Sequence, residues 1–122
     1  MYKLIDDKMG AKMLGGGLME YEPNAQKKME IHYHQKRESA YIVLGGSATL
    51  MLNGVKHELT PNTFVLISPG DRHGIVAIGE QGLRMIEIWS PLAPSQSEHE
   101  KDYVYETRNG RNEMKYISSS RS

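Results

Sequence analysis

Apolar residues along this chain recur with the two-residue period of β-strands, and no internal segment sustains the period of a helix. Residues 39–44 (SAYIVL) are rich in β-branched and aromatic side chains, and residues 48–52 (ATLML) follow after Gly45-Gly46. Asn53-Gly54 then predicts a two-residue hairpin, because both residues tolerate positive φ, with 55–59 as the return strand. Pro61-Asn62 predicts a turn, 63–67 a strand, Pro69-Gly70-Asp71 a second turn and 74–78 another strand. Gly79 to Gly82 reads as a loop, and 83–89 (LRMIEIW) as the last strong strand of the core. Upstream, 12–20 reads as a strand interrupted by Gly15-Gly16-Gly17. That triplet marks a bulge, a close backbone approach, or a loop between two short strands. Pro91 and Pro94 mark the exit from the core, 95–102 has the composition of a short capped helical turn, and 103–105 reads as an edge strand. Short strands separated by turns roughly every eight to twelve residues predict an all-β sandwich or barrel.

Composition narrows the function classes. A chain of 122 residues suits one domain, here a barrel with N-terminal strands over 1–107 and a polar tail over 108–122. Cysteine is absent, so a metal ion has to be held by His, Asp, Glu or backbone oxygen. Lys plus Arg and Asp plus Glu are equal at 15 each. That balance lacks the footprint of nucleic-acid binding, and the Lys27-Lys28 pair reads as a solvated strand edge. The first residues carry mixed charge without an apolar stretch, and no apolar run reaches membrane-spanning length. The cytoplasm is the expected compartment. A small molecule and a second copy of the chain are the expected partners, not nucleic acid or a membrane.

The chemistry concentrates at His32-Tyr33-His34, followed by Glu38. On a strand, residues i and i+2 share a face, so His32 and His34 project together, within reach of one ion at roughly 2.0–2.1 Å. Glu38 follows the polar bend Gln35-Lys36-Arg37, and His73 follows the Pro69-Gly70 turn at the start of another strand. Three nitrogens and one carboxylate would leave open coordination positions, as in catalytic sites. The bland alternative is two polar residues on a wet strand face; Glu38 and His73 weigh against it only in a fold that brings them together with the pair.

These residues resemble a known family. The run His32-x-His34-x3-Glu38-x6-Gly45 is similar to the first cupin motif, and Ser68-Pro69-Gly70-x2-His73 to the second. The chain departs from the pattern at Gln26, Asn62, Ser68 and Ala77, with Pro23-Asn24 at the first turn, and none of these departures removes a ligand. The resemblance implies a double-stranded β-helix (jelly-roll) barrel in which His32, His34, Glu38 and His73 converge on one divalent metal (Mn, Fe, Ni, Zn or Cu), and a homodimer. Within the family, His-x-His-x3-Glu-Ser, the block GSATLMLNG and Ile86-Glu87-Ile88 look like the mannose-6-phosphate-isomerase-like branch.

Other residues carry two readings each. Met85, Glu87 and Trp89 share one face of a strand, with Arg84 on the other. If the first face lines the interior, Glu87 is a proton donor or acceptor and Trp89 covers a substrate ring; otherwise Trp89 packs a dimer contact and Glu87 pairs with a base. Arg72 is a candidate anchor for an anionic substrate group, or a solvated rim residue. Tyr41 is a candidate substrate contact, or barrel packing. His57 and His99 read as surface. Function then divides three ways. The first is a metalloenzyme, either an isomerase or epimerase of a sugar or other oxygenated molecule, or an Fe-dependent dioxygenase. The second is a non-catalytic small-ligand binder, and the third a structural dimer whose metal stiffens the barrel.

Overall fold

A computed structural model describes residues 2–24, 30–92 and 103–105. They form eight strands: β1 (Tyr2–Ile5), β2 (Gly15–Tyr21), β3 (His32–His34), β4 (Glu38–Leu52), β5 (Val55–Leu59), β6 (Phe64–Ile67), β7 (His73–Ser90) and β8 (Tyr103–Tyr105). All the pairings are antiparallel. The only helical element among the described residues is a 3-10 turn, Asp7–Met9, whose preceding Asp6 carboxylate accepts from the Lys8 amide at 3.0 Å. No helix of the described residues is long and apolar enough to cross a membrane.

Two long strands make the architecture. The first half of β4 pairs with β6 on one side and with the second half of β7 on the other, and that half of β7 also pairs with β2, itself paired with β1. The second half of β4 pairs with β5 and with the first half of β7, which meets β3 and, through it, β8. The result is two five-stranded layers joined through the bends of β4 and β7, a double-stranded β-helix.

The bends fall on glycines. The β4–β7 register slips between Val43 and Gly45, between Gly46 and Ala48, and between Thr49 and Leu50. Gly46 and Gly82 both have φ of 76°, a left-handed conformation that costs side-chain-bearing residues about 1–2 kcal/mol. A Cβ on Gly46 would also land on the Gly82 carbonyl, so the two corners pack backbone to backbone. Here the structure corrects the sequence reading. Gly45-Gly46 and Gly79 to Gly82 are not breaks or loops; each lies inside a continuous strand, as the bulge that turns the layer.

The other turns behave as read. Asn53 and Gly54 take φ of 49° and 80° at the hairpin, and 103–105 forms the edge strand β8. The glycine triplet opens β2 and is no loop. Strand alternation buries Tyr41 and Val43 on β4 and Leu83 and Met85 on β7, against Leu50, Leu59 and Ile75 of the opposite layer. The helical turn expected at 95–102 and the tail at 108–122 lie outside the described residues.

Candidate metal centre

Strand β3 buries His32 and His34 and leaves Tyr33 half-buried between them, as a two-residue period requires. His73, 1% exposed, is the first residue of β7 and pairs directly with His32. The three rings close into one group: the centroids of His32 and His73 are 4.3 Å apart, those of His32 and His34 5.3 Å, and those of His34 and His73 5.7 Å. One potential ligand atom from each ring lies within 4.8 Å of the other two.

Backbone carbonyls orient two of these rings. His32 Nδ1 is 2.9 Å from the Glu30 carbonyl oxygen, and His73 Nδ1 is 2.9 Å from that of Asp71. A carbonyl only accepts, so Nδ1 carries the proton in both rings and Nε2 keeps its lone pair. Such a bond is the usual device for aiming a metal-binding imidazole.

The turn carrying His73 is itself fastened. The Asp71 carboxylate accepts from the Ser68 amide at 2.8 Å and from Asn53 Nδ2 at 3.1 Å. Asn53 Oδ1 accepts the Arg72 amide at 2.9 Å, and the Asn53 amide donates to the Arg72 carbonyl at 2.7 Å. The Gly70 amide donates to the His34 carbonyl at 2.9 Å, tying the same turn to β3. The hairpin residue Asn53 thus also sets the position of His73, a role that turn chemistry alone does not announce.

Burial lowers the pKa of His73 to about 3, with neighbouring His32 pushing the same way. Burial lowers His32 as well, and the Arg37 guanidinium adds to the effect. Both rings are therefore neutral near neutral pH, which is the form that binds a cation. Three converging buried imidazoles, two of them carbonyl-oriented, fit a divalent transition metal.

Opposite this group, Met85, Glu87 and Trp89 are all buried, so their face of β7 is the interior one. Arg84, on the other face, is exposed and pairs with Glu20 at 3.3 Å. Tyr41 is buried with its ring 6.5 Å from that of His73, and pairs in register with Glu87. A Cβ at Gly15 would collide with the Trp89 indole, so the close backbone approach was the right reading of that glycine. Arg37 is 8% exposed; it lies 4.4 Å over the Trp89 ring and reaches Glu87 Oε2 with Nη2 at 3.4 Å. Burial raises the Glu87 carboxyl above its ordinary value, while Arg37 and a hydrogen bond from Ser39 pull it back. Tyr21 is raised too, by burial and by the Glu87 charge.

Two of the residues singled out in the sequence sit elsewhere. Glu38 does not join the imidazoles: it is exposed at the first position of β4, out of phase with buried Ser39, Tyr41 and Val43. Arg72 lies 4.3 Å over the Tyr33 ring, on the side of β3 away from His32 and His34, and donates to the Gly70 carbonyl at 3.0 Å. That packing does not suit an interior anchor. His57 is exposed as expected, and His99 lies outside the described residues. The sequence reading missed Arg37, which it took only as part of a polar bend, although it is in phase with Ser39 and Tyr41.

The Cupin_2 family profile, a cupin domain, matches residues 17–89. The chain is a cupin. It is 30% identical over 79 residues to an L-ectoine synthase of Bordetella petrii, an alignment spanning 64% of this chain and 59% of that protein. The chain thus spans under two thirds of that relative's length. Among solved structures, the polyketide cyclase RemF of Streptomyces resistomycificus superposes with a TM-score of 0.64 at 30% identity, covering 75% of this cupin and 63% of RemF. KdgF of a Halomonas species superposes with a TM-score of 0.63 at 21% identity, covering 75% and 76% of the two chains, a likeness of fold.

Proposed function

We propose that this cupin is a metalloenzyme that moves protons on a small oxygenated molecule, in the manner of an isomerase or epimerase of a sugar or related compound. The observation that carries the reading is the convergence of His32, His34 and His73 as buried imidazoles within 4.8 Å of one another. These residues would hold one Mn, Fe, Ni, Zn or Cu ion, which when bound supplies Lewis-acid polarisation of a substrate oxygen. Glu87 is the proton donor or acceptor, since burial moves its pKa toward the neutral range where proton transfer is efficient. Trp89 and Tyr41 form the wall of the substrate site. Similarity to a synthase and to a cyclase favours catalysis over ligand storage.

The test is solvent exchange. Metal-loaded protein in D2O is incubated with a panel of aldoses, ketoses and 2-hydroxy acids, and deuterium incorporation is followed by NMR. Exchange into at least one compound, abolished in E87Q, is expected. Oxygen uptake without exchange would move the protein to the dioxygenases. Melting shifts with neither would make it a binding protein.

The partner we propose is a second copy. Phe64, Ile42, Ile86 and Leu18 form one cross-strand row on the outer side of the first layer, and Leu66, Ala40 and Ile88 form the next. Phe64 is 73% exposed. The chain has no net charge to repel its own copy. Sedimentation should show a dimer that F64E converts to monomer.

A further inference from the structure

We propose that Arg37 is the anchor for a carboxylate of the substrate, held on the Trp89 ring beside the imidazole group. This deepens the functional reading above and rests on it. A guanidinium offers five N–H donors in a fixed fork. In Arg37 it is nine-tenths buried, yet among the described residues its one hydrogen bond is the 3.4 Å contact to Glu87. A charge-assisted bond of this kind normally closes to about 2.7–2.9 Å. Arg37 Nε is buried with no hydrogen-bond partner among the described residues. Leaving such a donor unsatisfied is costly, and sites built to receive a ligand are where that cost is tolerated.

The surroundings select the ligand. Trp89 supports the guanidinium from one side, 4.4 Å away. A planar two-oxygen anion lying in the plane of the guanidinium would meet the fork edge-on. Glu87 already shares the guanidinium, so a singly charged carboxylate suits the place better than a dianionic phosphate. Glu87, which Arg37 contacts, pairs in register with Tyr41, whose ring lies 6.5 Å from that of His73, so an acid bound here lies on the imidazole side of the interior. The substrate class is therefore a small carboxylic acid bearing further oxygen, of the 2-hydroxy or 2-oxo acid type.

Trp89 is the chain's single tryptophan, which makes its fluorescence a reporter of the site. Zinc-loaded and metal-free protein are titrated with glycolate, glycolamide and inorganic phosphate. Glycolate should give a saturable change, with glycolamide weaker by about tenfold or more and phosphate weaker than glycolate. R37Q should weaken glycolate by about tenfold or more with zinc content unchanged. E87Q, which removes the competing carboxylate, should tighten it several-fold. Equal affinity for glycolate and glycolamide, or wild-type glycolate affinity in R37Q, overturns the proposal, and tighter phosphate than glycolate overturns the carboxylate assignment. If R37Q fails to fold, E87Q decides: unchanged or weaker glycolate binding overturns the proposal. Zinc content is read separately, so a protein that takes up no zinc but discriminates glycolate through Arg37 would sink the metal reading and leave this one standing.

Discussion

On one layer of the barrel, His32 and His73 each have Nδ1 fixed on a backbone carbonyl at 2.9 Å. On the facing layer, Arg37 has one long contact of 3.4 Å and a buried Nε without a partner among the described residues. Both groups are buried and polar, but the first is oriented in advance and the second is incompletely satisfied. Orientation in advance suits a permanent ligand such as a metal ion, because rings held in place lose little freedom on binding. Incomplete satisfaction suits a ligand that comes and goes, because the missing hydrogen bonds are available only when it is present. Under the function proposed above, the barrel interior divides into a seat for a cofactor and a seat for a substrate.

The largest expected effect falls on the first seat. H73A should lower metal affinity by more than the roughly 10–100-fold that an outer-shell partner typically costs. E38Q, at an exposed position outside the triad, should cost less than the loss of any of the three histidines. Competition with a chromogenic chelator measures both.

The second prediction concerns pH. His73 titrates at about 3 in the folded protein, below the unfolded value of 6.5, so the unfolded chain binds more protons between those limits. Stability of the metal-free protein is therefore full above pH 6.5 and falls as pH drops toward 3, by an amount on the order of a few kcal/mol. Urea melts at stepped pH check this, and H73L should flatten the slope. A wild-type profile flat across the window would contradict the burial of neutral imidazole.

Third, N53A removes a donor to Asp71 and the acceptor of the Arg72 amide. It should cost about 10–100-fold in metal affinity without touching a ligand. Fourth and smallest, G15A places a Cβ against the Trp89 indole. It should lower stability by about 1–3 kcal/mol and shift the tryptophan fluorescence, leaving metal content unchanged. If G15A lost the metal, the two seats would not be separable.

Much of this was legible in the chain. Alternation and turn residues placed the strands, and His32-x-His34 together with the turn before His73 marked the imidazoles. What escaped was long-range. Gly46 and Gly82 read as breaks because positive φ is locally a turn signal; that strands remain paired through them depends on β4 and β7 crossing there. Arg37 read only as part of a polar bend because Gln35 and Lys36 beside it are polar too, and only the phase of β4, carried back from Tyr41 and Ser39, turns it inward. The same phase puts Glu38 at an exposed position. Arg72 sits beside His73 in sequence but packs on Tyr33, because consecutive residues of an extended chain face opposite ways.

Whether the three imidazoles hold a metal ion is decided by elemental analysis. Untagged protein, dialysed against a weak chelator, is compared with H34A prepared in the same way. About one transition-metal ion per chain is expected in the wild type, and its loss in H34A. A wild-type protein that carries no metal, and takes up none from Mn, Fe, Ni, Zn or Cu solutions, would contradict the metal reading.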